Sequence, residues 1–350
     1  MEANTILSIV VLAIAAAIVA YGIATRRRVS MFNLVENRRL YFLISSAVIL
    51  PGILVMLYSL VTTGSLFRLS IDFVGGSIYD LTFTESGVTE NIIRDIFAEA
   101  GDSGVIIQRL GGAESNRWSV RGSFLETQTI EQILERLNAV APLDRDSFQQ
   151  QSVSPSIGRE VTQAAFIAVV VAAFVVTGFM VLAFRQVPNA FRYGICAVAA
   201  MLHDIFVVLG VMSLMGLLFG WEVDALFLTA ILTVVGFSVQ DTIVIFDRIR
   251  ENIPLRIGEP YETIVNRSVW ESIHRSLATQ LNAFFIMVAI MLFGGETVRQ
   301  FIFVLFIGLL TGSYSSIFTA VPLLVAWEKG EIPFVKGDLV HDEAVVGAKA

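Results

Sequence analysis

Cysteine is almost missing from this chain. The single one, Cys196, sits inside an apolar run. No intrachain disulfide can form, so cysteine usage carries no information about redox compartment; Cys196 reads as a small buried filler. Charge is scarce as well. Charged residues make up 16% of the 350, against roughly 25% in ordinary soluble domains. Lysine occurs only at Lys329, Lys336 and Lys349, and the net charge is −7. That balance opposes nucleic-acid binding, which needs a clustered basic surface. Apolar residues fill 55% of the chain, and mean hydropathy is +0.73. Such a chain would expose large apolar patches in water, which excludes a soluble single-domain enzyme; disorder needs the opposite composition. A polytopic helical membrane protein remains, with one water-soluble block of roughly 100 residues.

A bilayer core of roughly 30 Å takes ~20 apolar residues of helix. Seven stretches qualify: Ile6–Ala24, Tyr41–Val61, Thr162–Phe184, Tyr193–Phe219, Ala225–Phe246, Leu277–Phe293 and Phe301–Ala326. The first has no positive charge before its apolar core and Arg26, Arg27 and Arg28 after it, the arrangement of an uncleaved helix. A signal peptide cut after Ala20 is the competing reading. Basic residues orient the rest. Arg26–Arg28, Arg38 and Arg39, then Arg185 and Arg192, then Arg248, Arg250, Arg256, Arg267 and Arg275, then the tail lysines, all fall on one side. The alternate short loops carry only Arg299. The base-rich side is expected to be cytoplasmic and the polar block Thr62–Val161 to lie outside.

That block has its own grammar. Ser77–Thr84 alternates like a strand, and Val88–Ala100 carries a helical stripe through Ile92, Ile93, Ile96 and Phe97. Gly104–Leu110 and Arg117–Val120 flank Gly111-Gly112, a hairpin signal. Glu126–Val140 repeats the helical stripe, and Arg145–Val153 is the candidate last strand. The order is β-α-β-β-α-β, that of ferredoxin-like domains. The block contains no histidine, no Ser/His/Asp set and no metal-ligand spacing. Its acids Asp95, Glu99, Glu131 and Glu135 lie on the polar helix faces. A binding or lever module fits this better than a catalyst.

Ionisable groups inside a span cost several kcal/mol unless paired or hydrated. Asp204, beside His203, lies ~16 Å of helix from the end of its span. Two readings stand: a proton relay pair, or a carboxylate that binds neighbouring helices together. Asp241 lies some six residues, ~9 Å, inside the edge marked by Asp247. It is too short to snorkel and needs a polar cavity or a partner. Arg275 opens the following span after His274; it is either a snorkelling end-arginine or a counter-charge for Asp241. Gly308, Gly312 and Ser316 are spaced by four, which suits close helix packing. Pro260–Ser272 reads as a helix at the membrane surface. Gly75-Gly76 lacks a phosphate-loop pattern.

Six segments form an ordered set: IDFVGG (Ile71–Gly76), VSPSIGREVTQAA (Val153–Ala165), LHDI (Leu202–Ile205), VVGFSVQDTIVIFDRIREN (Val234–Asn252), ESIHRSL (Glu271–Leu277) and FGGETVRQF (Phe293–Phe301). From about Phe32 to Trp327 the chain resembles the SecF family of the bacterial Sec protein-export machinery, a relative of the proton-driven RND transporters. The DFVGG piece is shared with SecD. The resemblance implies an RND-type six-helix bundle with a small exported α+β domain; the stretch Ile6–Ala24 departs from it as one extra N-terminal helix. By position this gives 1–40 as extra helix and basic linker, 41–61 as the first family helix, 62–161 as exported domain, 162–326 as a five-helix bundle and 327–350 as cytoplasmic tail. It implies a plasma-membrane subunit that works with SecD, beside the SecYEG channel and the SecA motor, on an unfolded secreted polypeptide. The driving force would be the proton gradient, with no ATP hydrolysis and no cofactor. Asp241 matches the family's proton-pathway aspartate and Arg275 its companion. Asp204 and His203 match a motif of less defined role. Asp72, Gly75 and Gly76 mark the start of the exported domain, and Asp247, Arg248, Arg250, Glu251 and Asn252 a cytoplasmic-edge motif. One departure stands out: after Arg275 the chain reads SLATQLNAFF, where the family usually has a more Thr/Ser-rich run. A proton-driven exporter of small molecules or lipids is the alternative function, and a non-transporting scaffold a third.

Overall fold

The computed structural model describes residues 33–85, 87–111, 115–185 and 189–332. The stretch Ile6–Ala24, its three arginines, Gly112, Lys336 and Lys349 lie outside the described residues. In chain order the elements are α1 (Arg38–Thr63), α2 (Ile71–Val74), β1 (Gly76–Thr82), α3 (Glu90–Glu99), β2 (Ile106–Leu110), β3 (Arg117–Gly122), α4 (Thr127–Val140), β4 (Gln149–Val153), α5 (Pro155–Ala183), α6 (Ala190–Phe219), α7 (Ala225–Leu255), α8 (Tyr261–Phe293) and α9 (Glu296–Ser315). A π-helical turn (Ser316–Ala320) and α10 (Val321–Glu328) follow. Two compact units result, Leu69–Ala168 and the remainder.

The unit Leu69–Ala168 is a four-stranded antiparallel sheet in the order β2-β3-β1-β4, with two helices between its strands. Alternation sends Tyr79, Leu81, Trp118 and Val120 to one face. There they meet Ile93 and Phe97 of α3 and Ile130, Ile133 and Leu137 of α4. The Arg109 guanidinium covers the Trp118 ring at 4.7 Å. The β-α-β-β-α-β order is the one expected. The last strand starts at Gln149 rather than Arg145, because a polar turn intervenes: the Asp146 amide donates to Asp144 Oδ1 at 3.2 Å, and Ser147 Oγ to the Asp144 carbonyl at 3.2 Å. Burial holds the Arg121 guanidinium below its ordinary pKa, and neighbouring Asp72 opposes that shift.

The other unit holds the membrane helices apart from residues 155–168 of α5. Among the described residues, six helices are long and apolar enough to cross a bilayer: α1, α5, α6, α7, α8, and α9 continued through the π turn and α10. α1 and α5 are almost wholly exposed, while α6 and the last span are more than half buried. Helices this apolar and this bare need lipid or another protein around them. Gly64 in the left-handed region (φ +80°) ends α1, Gly220 (φ +71°) ends α6, and Asp224 caps α7 by accepting the Phe227 amide at 2.7 Å. Small residues let α1 and α6 cross closely: a Cβ on Gly210 of α6 would stand 2.6 Å from Gly52 Cα of α1.

α8 corrects one expectation. A surface helix over Pro260–Ser272 and a separate span from Leu277 are one 33-residue helix. Glu271, His274 and Arg275 interrupt its hydropathy, but no glycine or proline interrupts its backbone.

Candidate functional site

Two buried acids lie on neighbouring helices of the bundle. Asp204 of α6 is 1% exposed. It accepts hydrogen bonds from Ser238 Oγ of α7 at 2.5 Å and Ser315 Oγ of α9 at 2.7 Å, and pairs with His203 Nδ1 at 3.0 Å. An unpaired carboxylate at this depth would cost several kcal/mol; hydroxyl donors from α7 and α9, with the adjoining His203 ring, offset that. Access for Ser315 depends on glycine. A Cβ on Gly308 would stand 2.1 Å from Val234 Cγ2, and one on Gly312 3.3 Å from Ser238 Cβ. The Gly308/Gly312 stripe therefore lets α9 lie on α7, the close packing its spacing suggested.

A polar chain continues from His203. Its ring stacks on Tyr314 at 5.9 Å, and Tyr314 Oη donates to the Tyr41 carbonyl of α1 at 3.2 Å. Ser45 of α1 bonds both Tyr314 Oη (3.3 Å) and Thr319 Oγ1 (3.1 Å). Residues 314 and 319 are five apart, on well-separated faces of a regular α-helix. The wider π turn, with its i→i+5 bonding, brings them to one side. This insertion has no composition signal, which hides it from the sequence.

Asp241 of α7 is 7% exposed, and its Oδ2 accepts from Gln280 Nε2 of α8. Of the two readings of Arg275, the pair with Asp241 is not made within this chain. Arg275 is exposed, and among the described residues its side chain has no partner. Five positions, or about 140° of helix, separate it from Gln280, so one face of α8 cannot offer both to Asp241. His274 is exposed beside it. The two acid centres share α7: Ser238, which bonds Asp204, lies three positions before Asp241, about one helical turn. Thr242 Oγ1 donates to the Ser238 carbonyl at 3.0 Å and ties that turn internally.

The remaining motif residues do structural work. Arg248 of α7 bonds Glu251 (2.9 Å) and Glu271 of α8 (2.6 Å), and Asp247 pairs with Arg250 at 2.5 Å. Buried Asn252 donates to Ser268 Oγ and Glu271 Oε2, each at 2.9 Å. Arg250 reaches the Ala183 carbonyl at 3.1 Å. The DRIREN stretch thus latches α7 to α8 and to the end of α5. In the unit Leu69–Ala168, Ser70 caps α2 by accepting the Asp72 amide at 3.3 Å. A Cβ on Gly75 (φ +78°) would stand 2.7 Å from Pro155 Cα, and one on Gly158 2.8 Å from the Phe73 carbonyl oxygen. The IDFVGG and SPSIG segments are locked backbone to backbone, and Gly76 (φ +127°) turns the chain into β1. Sequence reasoning did not single out Ser238 or Ser315 as partners of Asp204, or Gln280 as the partner of Asp241. A hydroxyl or amide on a span was the one signal each offered.

Comparison with known proteins places this arrangement. Residues 132–330 match the family described as protein export membrane protein SecD/SecF, C-terminal. The protein translocase subunit SecF of Anaerolinea thermophila is 42% identical over 86% of this chain and 96% of its own length. That of Thermobaculum terrenum is 39% identical over 85% and 94%. The crystal structure of SecDF, a translocon-associated membrane protein from Thermus thermophilus, superposes with a TM-score of 0.66 at 29% identity, covering 85% of this chain and 39% of that one. The apolar helices and these likenesses define a multi-pass membrane protein of the protein-export class. Within that class, the chain belongs to the SecF family.

Proposed function

We propose that this chain pairs with a SecD-type subunit in the bacterial plasma membrane and uses the proton gradient to promote late steps of protein translocation, next to a SecYEG-type channel. Asp241 takes up a proton from one side of the membrane and releases it to the other. The His203–Asp204 centre holds α6, α7 and α9 together and relays the change in shape. Arg275, bare in the single chain, faces the proton path once the partner subunit is present. The block 62–161 acts outside the membrane on the unfolded secreted polypeptide. One observation carries this reading: a buried mid-span carboxylate whose hydrogen-bond partner is a neutral amide. A neutral partner leaves both protonation states accessible, whereas a fixed arginine would favour the charged one. One charge crossing 100 mV supplies ~2.3 kcal/mol, enough to bias a helix rearrangement. In inside-out vesicles, Asp241→Asn is expected to keep co-purification with the SecD-type subunit while export loses its response to an imposed gradient. Gradient-stimulated export at wild-type level in that variant would refute the proposal.

A further inference from the structure

Gln280 stands at the site with half of its amide unused. It is 4% exposed, Nε2 donates to Asp241 Oδ2, and Oε1 is buried without a hydrogen-bond partner. A buried carbonyl oxygen left unpaired loses its bonds to water with nothing in exchange. The group it faces lacks only a proton to satisfy it. A protonated carboxyl has one O–H donor and one carbonyl acceptor; a carboxamide has the complementary pair.

We infer that Gln280 is a positioning residue for Asp241 that recognises the protonated carboxyl by a two-bonded acid–amide ring. In the ionised state a single bond runs from Gln280 Nε2 to Asp241 Oδ2, and Oε1 is unpaired. A proton delivered by hydronium bonds to Asp241 Oδ1, leaving water. The new O–H then donates to Gln280 Oε1, and both hydrogen bonds join α7 to α8. On release the proton passes to water, the O–H···Oε1 bond breaks and the single-bonded pair returns. Protonation therefore tightens the α7–α8 contact at this level, through a residue that occupies the unusual SLATQLNAFF run. Several titratable groups on the neighbouring elements have other partners or are exposed, while Arg299 of α9 and Tyr261 of α8 are part-buried with a polar atom unpaired. His203 and Asp204 of α6 bond each other, Glu271 of α8 bonds Arg248 and Asn252, Tyr314 of α9 bonds α1, and His274 and Arg275 of α8 are exposed. The inference rests on the proposed proton role of Asp241.

The test is infrared difference spectroscopy of the full chain, with its SecD-type partner, in nanodiscs across a pH titration. The band read is the carboxyl C=O stretch that Asp241→Asn abolishes. In Gln280→Leu this band is expected to shift to higher wavenumber, as for a carboxyl that has lost its hydrogen-bond partner. In Gln280→Ser, which keeps one hydroxyl and guards against misfolding of the leucine variant, the shift is smaller. A band at the wild-type wavenumber in both variants overturns the role of Gln280 while Asp241 still titrates. No Asp241-dependent band in the wild type overturns the proton role itself, and this inference with it.

Discussion

At the scale of single residues, the two acids differ in what surrounds them. Asp204 accepts from hydroxyls on two other helices and pairs with His203 on its own, whereas Asp241 accepts from one amide. The first is therefore expected to behave as a fastener. Asp204→Ala leaves the Ser238 hydroxyl unpaired in the core, at about 1–3 kcal/mol for a buried donor, and leaves Ser315 only its 3.3 Å bond to the Gly312 carbonyl. Asp204→Asn retains an acceptor and costs less. Thermal unfolding of the purified protein in detergent should rank the variants wild type, Asn, Ala; equal midpoints would show that the three bonds hold nothing. The depth of both acids was legible in the sequence from their distance to the span ends. Their partners were not. Which residue of α8 meets Asp241 depends on helix rotation, and the arginine favoured by charge lies about 140° from the amide that packing selects.

At the scale of elements, glycine decides how closely helices approach. Gly308→Ala would drive a methyl into Val234, with an expected loss of about 1–3 kcal/mol from overpacking. Val234→Ala removes the methyls it meets, so the double variant should recover most of that stability in the same unfolding assay. Additive losses would mean that the α7–α9 contact is not made there. A second pair sits in the smaller unit. Gly75→Ala combines a φ of +78° with a contact of 2.7 Å to Pro155 Cα. It should open the lock between IDFVGG and SPSIG and speed proteolysis of residues 69–168 relative to the wild type; equal cleavage rates would show that the contact holds nothing. The Gly308/Gly312 contact was legible as spacing; the π turn and the unbroken α8 were not. Hydropathy reports where a helix meets lipid, whereas helix continuity depends on the lack of breakers between residues 261 and 293.

At the scale of the whole molecule, the ends of the membrane unit are clasped together. Arg38, at the start of α1, bonds Glu331 past α10 and Glu262 at the start of α8, and Lys329 joins Glu262 at 2.8 Å. The hydrogen bond from Arg38 holds the Glu331 carboxyl below its ordinary value of 4.5. A depressed carboxyl stabilises the fold above its unfolded pKa, and the contribution disappears as pH falls through the folded value. Hydrogen exchange across residues 321–332 is therefore expected to rise on acidification below about pH 4, and in Glu331→Gln to be raised already at neutral pH. Exchange unchanged in both would remove the clasp from the account.

The central claim is that one carboxylate, Asp241, exchanges protons across the membrane. Its most direct test is proton flux into proteoliposomes containing this chain and its SecD-type partner, read by an internal pH dye after a potential is imposed. The wild type should acidify the lumen and Asp241→Asn should fall to the level of protein-free liposomes. Equal flux from both would contradict the account.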